Sequence, residues 1–134
     1  MEPKEYLKRY QTSNREIKAL MDQRKQLWEM MTEFSVSAPK SPVKDDTPGS
    51  MRDMISSKIT DMDQRIKSRI EALQTIKYEI EDTISHLPDR QREVLRLKYI
   101  NGLTWEQIAI ELNYSYRNVL YLHRKALQCI QKSA

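Results

Sequence analysis

Glycine, cysteine, histidine and phenylalanine are all scarce in this chain of 134 residues. It contains two glycines, one cysteine, two histidines and one phenylalanine. The glycines, Gly49 and Gly102, are too far apart in sequence to form a Gly-rich phosphate loop. Cys129 has no partner for an intrachain disulfide. No catalytic triad and no cluster of metal ligands is recognisable. We therefore predict no enzymatic activity, no bound metal and no cofactor.

Long apolar runs are also missing. No stretch approaches the roughly 20 apolar residues of a membrane-spanning helix. The amino terminus reads Met-Glu-Pro-Lys, without the apolar core of a secretory signal. We therefore expect a cytoplasmic protein with no membrane partner. The low glycine content, together with many Lys, Glu, Gln, Met and Ile residues, favours an all-α fold.

Residues 87–132 have the pattern of a helix-turn-helix. Thr104 and Gln107 have the spacing of a capping box that starts a helix. Asn113 tolerates the left-handed conformation that ends a helix, and Ser115 can cap the next one. Ala109 is small enough for two helices to cross closely beside it. The apolar positions follow helical spacing in both segments: Trp105, Ile108, Ala109 and Leu112, then Val119, Leu122, Ala126 and Ile130.

The net charge of +4 resides entirely in the C-terminal part of the chain. Residues 86–134 contain eight basic and four acidic residues, whereas residues 1–85 contain fifteen of each. No acid falls in the predicted second helix of the helix-turn-helix, residues 116–131. A basic face is expected of a protein that binds phosphates. Together with the helix-turn-helix pattern, the charge indicates nucleic acid as the partner.

The first half of the chain predicts two long helices with heptad spacing, which is typical of a coiled coil. Arg24 and Arg69 interrupt the two apolar stripes. A stripe this narrow needs the other helix, another subunit, or both to cover it. The apolar heptad positions are Tyr10, Ile17, Leu20, Leu27, Met31 and Phe34, and then Ile55, Ile59, Met62, Ile66, Leu73, Ile76, Ile80 and Ile84.

A segment rich in proline separates the two helices. Residues 35–49 include three prolines and one glycine, which predicts a flexible linker. The segment is long enough for the two helices to pair within one chain, and equally for each to pair with a helix of another chain. The predicted organisation is summarised by four ranges: a first coiled-coil helix at 1–34, a linker at 35–50, a second coiled-coil helix at 51–86 and the helix-turn-helix domain at 87–134. On this division, we expect that deleting residues 1–50 leaves a folded C-terminal domain and disrupts a homo-oligomer.

The C-terminal segment resembles region 4 of bacterial sigma factors, the promoter-reading domain. The residues that carry the resemblance are Leu-Pro at 87–88, Arg-Gln-Arg-Glu-Val-Leu at 90–95, Tyr-Ile-Asn-Gly-Leu-Thr at 99–104 and Glu-Gln-Ile-Ala at 106–109. The whole-chain layout is similar to phage and prophage regulators of the RinA and ArpU type. The resemblance implies double-stranded DNA and bacterial RNA polymerase as partners, in a bacterial host. Nothing upstream resembles the promoter-melting domain of a complete sigma factor.

The resemblance further implies that exposed positions early in the second helix face base edges in the major groove. Arg117 is the candidate for a bidentate contact to guanine, and Asn118 for one to adenine. Leu120 is compatible either with a thymine methyl or with contact to another protein. The base-reading candidates are Tyr116, Arg117, Asn118, Leu120 and Tyr121. The phosphate candidates, which fix register rather than sequence, are Arg124, Lys125, Thr104 and Ser115.

Three functional readings follow from these observations. The preferred one is a sequence-specific DNA-binding transcription regulator, an activator of phage late genes acting with host RNA polymerase. The alternative is a phage DNA-packaging or assembly protein of the small terminase type, which also combines a helix-turn-helix with an oligomerising coiled coil. A third reading, a sigma mimic that binds polymerase without DNA, is disfavoured because such a mimic has no need for a second helix free of acids.

Overall fold

A computed structural model describes residues 1–37 and 47–133 of the chain, with side chains over residues 1–33 and 51–133. These residues are almost entirely helical and include no strand, which confirms the predicted all-α fold with a C-terminal helix-turn-helix. No helix within these ranges is both long and apolar enough to cross a membrane. The elements are α1 (Pro3–Ser37), α2 (Thr47–Ile84), α3 (Asp89–Leu95), a π-helical segment (Arg96–Ile100), α4 (Trp105–Leu112) and α5 (Tyr116–Ser133).

Both long helices enter the predicted linker of residues 35–50. α1 continues to Ser37 and α2 begins at Thr47. A proline near the start of a helix is tolerated because the amide hydrogens of the first turn have no intrahelical partner, so Pro48 does not prevent α2 from starting there. The central part of the predicted linker, residues 38–46, lies outside the described residues.

The chain divides into two compact units. The first, here called the HTH unit, comprises residues 1–14 and 72–134. The second, here called the hairpin unit, comprises residues 15–71. The beginning of α1 therefore belongs with the helix-turn-helix, a grouping that the heptad pattern does not indicate.

In the hairpin unit, α1 and α2 pair antiparallel within one chain. Arg69 Nη1 donates to Glu16 Oε2 at 2.8 Å, and Arg24 donates to Asp63. The two arginines that interrupt the predicted apolar stripes thus each bind a carboxylate on the facing helix. These pairs are largely exposed, so each contributes at most about 1 kcal/mol. The buried apolar residues of this unit are Ile17, Ile55, Ile59, Met62 and Ile66.

The HTH unit has two apolar clusters. The smaller one holds the helix-turn-helix together: Val94, Ile108 and Val119 are fully buried there. The larger one joins both long helices to the helix-turn-helix. Its buried members are Leu7, Ile80, Ile84, Leu87, Leu95, Tyr99 and Ala126.

Leu7 of α1 is a full member of this larger cluster, with 0% of its surface exposed. Tyr6 and Tyr10, on either side of it, also pack against the cluster. This packing argues against the expectation that the C-terminal domain stays folded when residues 1–50 are deleted. Their removal exposes the core of the HTH unit to water.

Polar contacts also tie α1 and α2 to the π-helical segment. Gln11 Nε2 donates to the carbonyl oxygens of Tyr99 at 3.0 Å and Ile100 at 2.9 Å. Arg96 donates twice to the carboxylate of Glu81, at 3.2 and 2.8 Å. The two bonds from Gln11 satisfy carbonyls at the end of the π-helical segment, where no further turn supplies amide donors.

Candidate nucleic-acid interface

The turn between α4 and α5 is built as the sequence predicts. Thr104 Oγ1 accepts from Gln107 N at 3.2 Å, and Gln107 Oε1 accepts from Thr104 N at 2.9 Å, which completes the capping box. Asn113 has φ of 57° and ends α4 in the left-handed conformation. Ser115 Oγ accepts from Asn118 N at 3.1 Å and caps α5. Local residue chemistry thus fixes the entry angle of α5.

The predicted inner face of α5 is buried. Val119, His123 and Ala126 are buried, and Leu122 is half-buried. The candidate base-reading and phosphate residues of α5 lie on the remaining surface. Tyr116, Arg117, Tyr121, Arg124 and Lys125 are exposed, whereas Asn118 and Leu120 are half-buried.

A shallow groove runs along the beginning of α5 and brings six of the nine predicted site residues together. It is lined by Ser115, Arg117, Asn118, Leu120, Tyr121 and Arg124. Lys125 lies beside it, with its ammonium 5.7 Å from the centre of the Tyr121 ring, and the Arg124 guanidinium lies 5.9 Å from the same centre. Thr104 and Tyr116 do not line this groove.

The cations of α5 are available for a partner. In the part of the chain that the structure describes, no carboxylate lies within ion-pair distance of Arg117, Arg124 or Lys125. Elsewhere in the HTH unit, arginines are engaged: Arg9 binds Glu79 and Arg96 binds Glu81. Unpaired cations on an exposed helix face are suited to a polyanion such as DNA.

The hydroxyls of Thr104 and Ser115 already accept backbone amides as helix caps. Each hydroxyl keeps one proton that can be donated to a phosphate oxygen. The capping role and the predicted phosphate contact are therefore compatible for both residues.

Tyr99 and His123 form a buried polar pair on the inner face of α5. The hydroxyl of Tyr99 and Nε2 of His123 are 2.6 Å apart, and the Trp105 ring meets the imidazole edge-on with centroids 4.6 Å apart. Burial raises the pKa of Tyr99 to about 12. Burial, followed by the charges of Lys4 and Lys98, lowers the pKa of His123 to about 4. Both side chains are therefore neutral at pH 7 and share one hydrogen bond.

The helical spacing predicts that His123 packs inward, and the structure confirms it. It does not predict the Tyr99 partner or the position of Lys98. The Lys98 ammonium lies 4.4 Å from the centre of the Trp105 ring, beside the start of α4. In the sequence, Lys98 stands out only as one positive charge in a basic segment, which does not indicate its contact with Trp105.

A known protein family matches the region that contains the helix-turn-helix. Residues 77–130, from the last turns of α2 through most of α5, match the family Sigma-70, region 4. RNA polymerase sigma factor SigO of Bacillus subtilis (strain 168) is 36% identical over 55 residues, which cover 41% of this chain and 31% of that protein. The chain thus spans about a third of the length of this curated relative. No solved structure matches the chain.

The C-terminal part of the chain is therefore a Sigma-70 region 4 domain, as the sequence motifs predict. Neither comparison tests the similarity to phage regulators of the RinA and ArpU type.

Proposed function

We propose, from the premise that residues 77–130 form a Sigma-70 region 4 domain, that this protein is a sequence-specific DNA-binding transcription regulator. It binds double-stranded DNA through α5 and acts with bacterial RNA polymerase in the cytoplasm. Within this class we favour an activator of the phage or prophage type.

The observation that carries the proposal is the exposed face of α5. Arg117, Asn118 and Tyr121 line one groove near the start of the helix, and the beginning of a recognition helix is the part that meets base edges. The face carries three cations without acidic partners and no acidic residue of its own. A surface of this kind is suited to the major groove of a duplex.

Each groove residue then receives a chemical role. Arg117 pairs with O6 and N7 of guanine, and Asn118 with N6 and N7 of adenine. Leu120 meets a thymine methyl, because it lines the same groove as the polar candidates. Tyr116 and Tyr121 offer a ring to thymine or a hydroxyl to the backbone. Phosphates are bound by Arg124, Lys125, Thr104 and Ser115, which set the register.

The polymerase part of the proposal rests on the sigma factor relative, whose name places it with RNA polymerase. The family match at residues 77–130 lies within the HTH unit, so the chain is proposed as a regulator that carries region 4. The hairpin unit is the proposed site of homo-oligomerisation. Met21 and Trp28 of α1, one heptad apart, and Met54 of α2 are each about half exposed there.

Replacing Arg117 tests the assignment of α5. A preferred duplex is first obtained by selecting bound sequences from random DNA, and its affinity is compared with that of a mixed-sequence duplex. We expect Arg117→Ala to lose about 1–3 kcal/mol of the preference for the selected duplex. Lys132→Ala, which removes a cation from the last turn of the same helix, should leave that preference unchanged.

An equal loss of affinity for both duplexes would contradict the role of Arg117 in base reading. Footprints on the DNA of the source genome, with and without RNA polymerase, test the regulator as a class. A footprint beside a promoter that polymerase strengthens supports it. A footprint at a packaging gene that ignores polymerase would favour the packaging protein instead.

A further inference from the structure

An irregular turn, residues 101–103, leads from the π-helical segment into Thr104. Gly102 lies at its centre with φ of 73°, in the left-handed region that favours glycine. The amide of Leu103 donates back to the carbonyl oxygen of Leu97 at 3.1 Å. Because the chain leaves the helix here, the carbonyls at the end of the π-helical segment need donors from elsewhere in the fold.

The side chain of Gln11 supplies these donors from α1. Its Nε2 donates to the carbonyl oxygens of Tyr99 at 3.0 Å and Ile100 at 2.9 Å. The same amide packs beside the turn, since a Cβ at Gly102 would lie 3.3 Å from Gln11 Oε1. One helical turn earlier, Leu7 is fully buried in the larger cluster of the HTH unit. The Gln11 amide is therefore held in place from its own helix and is in contact with the turn.

Thr104 follows this turn directly, and the position of its hydroxyl depends on both neighbours. On one side the capping box ties it to Gln107 of α4. On the other side the turn, which Gln11 holds, determines where the backbone enters α4. The helix α5 has buried contacts of its own through Val119 and Ala126. A displaced turn would therefore move Thr104 relative to α5.

We infer that Gln11 is a positioning residue of the DNA-binding surface, because its two hydrogen bonds fix the turn that places the Thr104 hydroxyl for a DNA phosphate. The inference rests on the proposed function, in which Thr104 is a phosphate contact. Its basis is geometric: one amide binds two carbonyls and packs beside Gly102, all within five residues of Thr104. Gln11 itself touches no DNA in this assignment.

Loss of such a positioning residue has a defined signature. A hydroxyl bound to a phosphate carries no base preference, so its loss weakens binding to every duplex equally. The hydroxyl has no charge and displaces no counterion, so the slope of log K against log salt stays the same. A loss of affinity of about three- to tenfold corresponds to the net contribution of one hydrogen bond.

The experiment compares the binding of full-length variants to a mixed-sequence duplex. Gln11→Met keeps the length of the side chain and loses both donors. The control is Tyr6→Phe, which removes the hydrogen bond between the Tyr6 hydroxyl and Thr83 of α2, 3.3 Å long and remote in sequence from the turn. Both are also made in a Thr104→Ala chain, and urea unfolding verifies that each variant is folded during the assay. Hydrogen exchange of the Leu103 amide reports on the turn without DNA.

We expect Gln11→Met to lower the affinity about three- to tenfold at every salt concentration and to speed exchange of the Leu103 amide. Tyr6→Phe should change neither quantity. In the Thr104→Ala chain, Gln11→Met should change the affinity by less than about twofold, because effects on one shared contact are not additive.

An unchanged affinity of Gln11→Met would overturn the inference even if the Leu103 amide exchanged faster, because Gln11 would then serve the stability of the turn alone. An equal loss in the Thr104→Ala chain would also overturn it, since Gln11 would then act through another contact. Failure of the proposed function looks different: the wild-type chain would not bind the duplex, whereas the exchange of Leu103 would still respond to Gln11→Met.

Discussion

His123 shows how a single side chain links the stability of the HTH unit to the position of α5. It lies on the buried face of α5, bonded to Tyr99 and in contact with Trp105. A buried polar group without a partner costs about 1–3 kcal/mol. The Tyr99 hydroxyl avoids this cost by forming a hydrogen bond with the His123 imidazole. Together with Val119 and Ala126, the pair holds the buried face of α5 against the rest of the HTH unit.

The stability of the HTH unit should depend on pH through His123. Its pKa of about 4 in the folded chain lies below the usual value of 6.5, so the unfolded state binds the proton more readily between these values. The free energy of unfolding therefore falls as the pH decreases from about 6.5 to about 4, by at most about 1.4 kcal/mol per pH unit. Above pH 6.5 this contribution is fully present.

Urea unfolding of the wild type and of His123→Gln at several pH values measures the effect. The wild type and His123→Gln share the carboxylates that titrate in this pH range. The difference between their pH dependences is therefore the contribution of His123 to the free energy of unfolding. An NMR titration of the imidazole provides the matching midpoint, near 4. A midpoint close to 6.5 would show that the imidazole is not buried in this way.

The sequence predicts the inward position of His123 because helical periodicity is local. It does not predict Tyr99 as its partner, because that contact joins residues 24 positions apart and depends on how the π-helical segment turns. The same contrast holds for the caps. Thr104, Asn113 and Ser115 act within a few residues and were all predicted, whereas the Gln11 contact with residues 99 and 100 spans most of the chain.

At the scale of the helices, α1 serves two structures with different partners. In the hairpin unit it pairs with α2: Ile17 is buried there, and Arg24 and Arg69 each bind a carboxylate on the facing helix. Leu7 instead contributes to a core shared with α3 and α5. The predicted apolar stripe starts at Tyr10 and omits Leu7. Heptad spacing describes packing against one facing helix, whereas Leu7 packs into a core that several helices share.

Truncation of Leu7 should therefore destabilise the helix-turn-helix. We expect Leu7→Ala to lower the free energy of unfolding by about 2–5 kcal/mol, as for other fully buried leucines. The measurement is urea unfolding followed by tryptophan fluorescence in a Trp28→Phe background, where Trp105 is the sole tryptophan.

The control is Leu27→Ala, which shortens a half-buried leucine of the hairpin unit. It should shift the Trp105 transition less than Leu7→Ala does. If Leu7→Ala changed that transition by less than about 1 kcal/mol, against the usual cost for a buried leucine, α1 would not be part of the HTH core.

Across the whole molecule, the excess of positive charge is larger in the HTH unit than in the hairpin unit. The HTH unit contains twelve basic and nine acidic residues, a net charge of +3, whereas the hairpin unit contains eleven and ten, a net charge of +1. Three exposed cations of the HTH unit lie at or beside the groove of α5: Arg117, Arg124 and Lys125. The sequence predicted the fold class, the helix-turn-helix and the exposed face of α5 from local patterns. It did not predict that residues 1–14 join this unit, nor that the long helices pair within one chain, because both depend on contacts across the linker.

The salt dependence of DNA binding by the full chain tests the central claim most directly, since it requires no knowledge of the target sequence. With about four to six phosphate contacts, the slope of log K against log salt should be near −4 to −5. A binding constant that does not change with salt, or no binding to double-stranded DNA at low salt, would contradict the assignment of α5 as a DNA-binding helix.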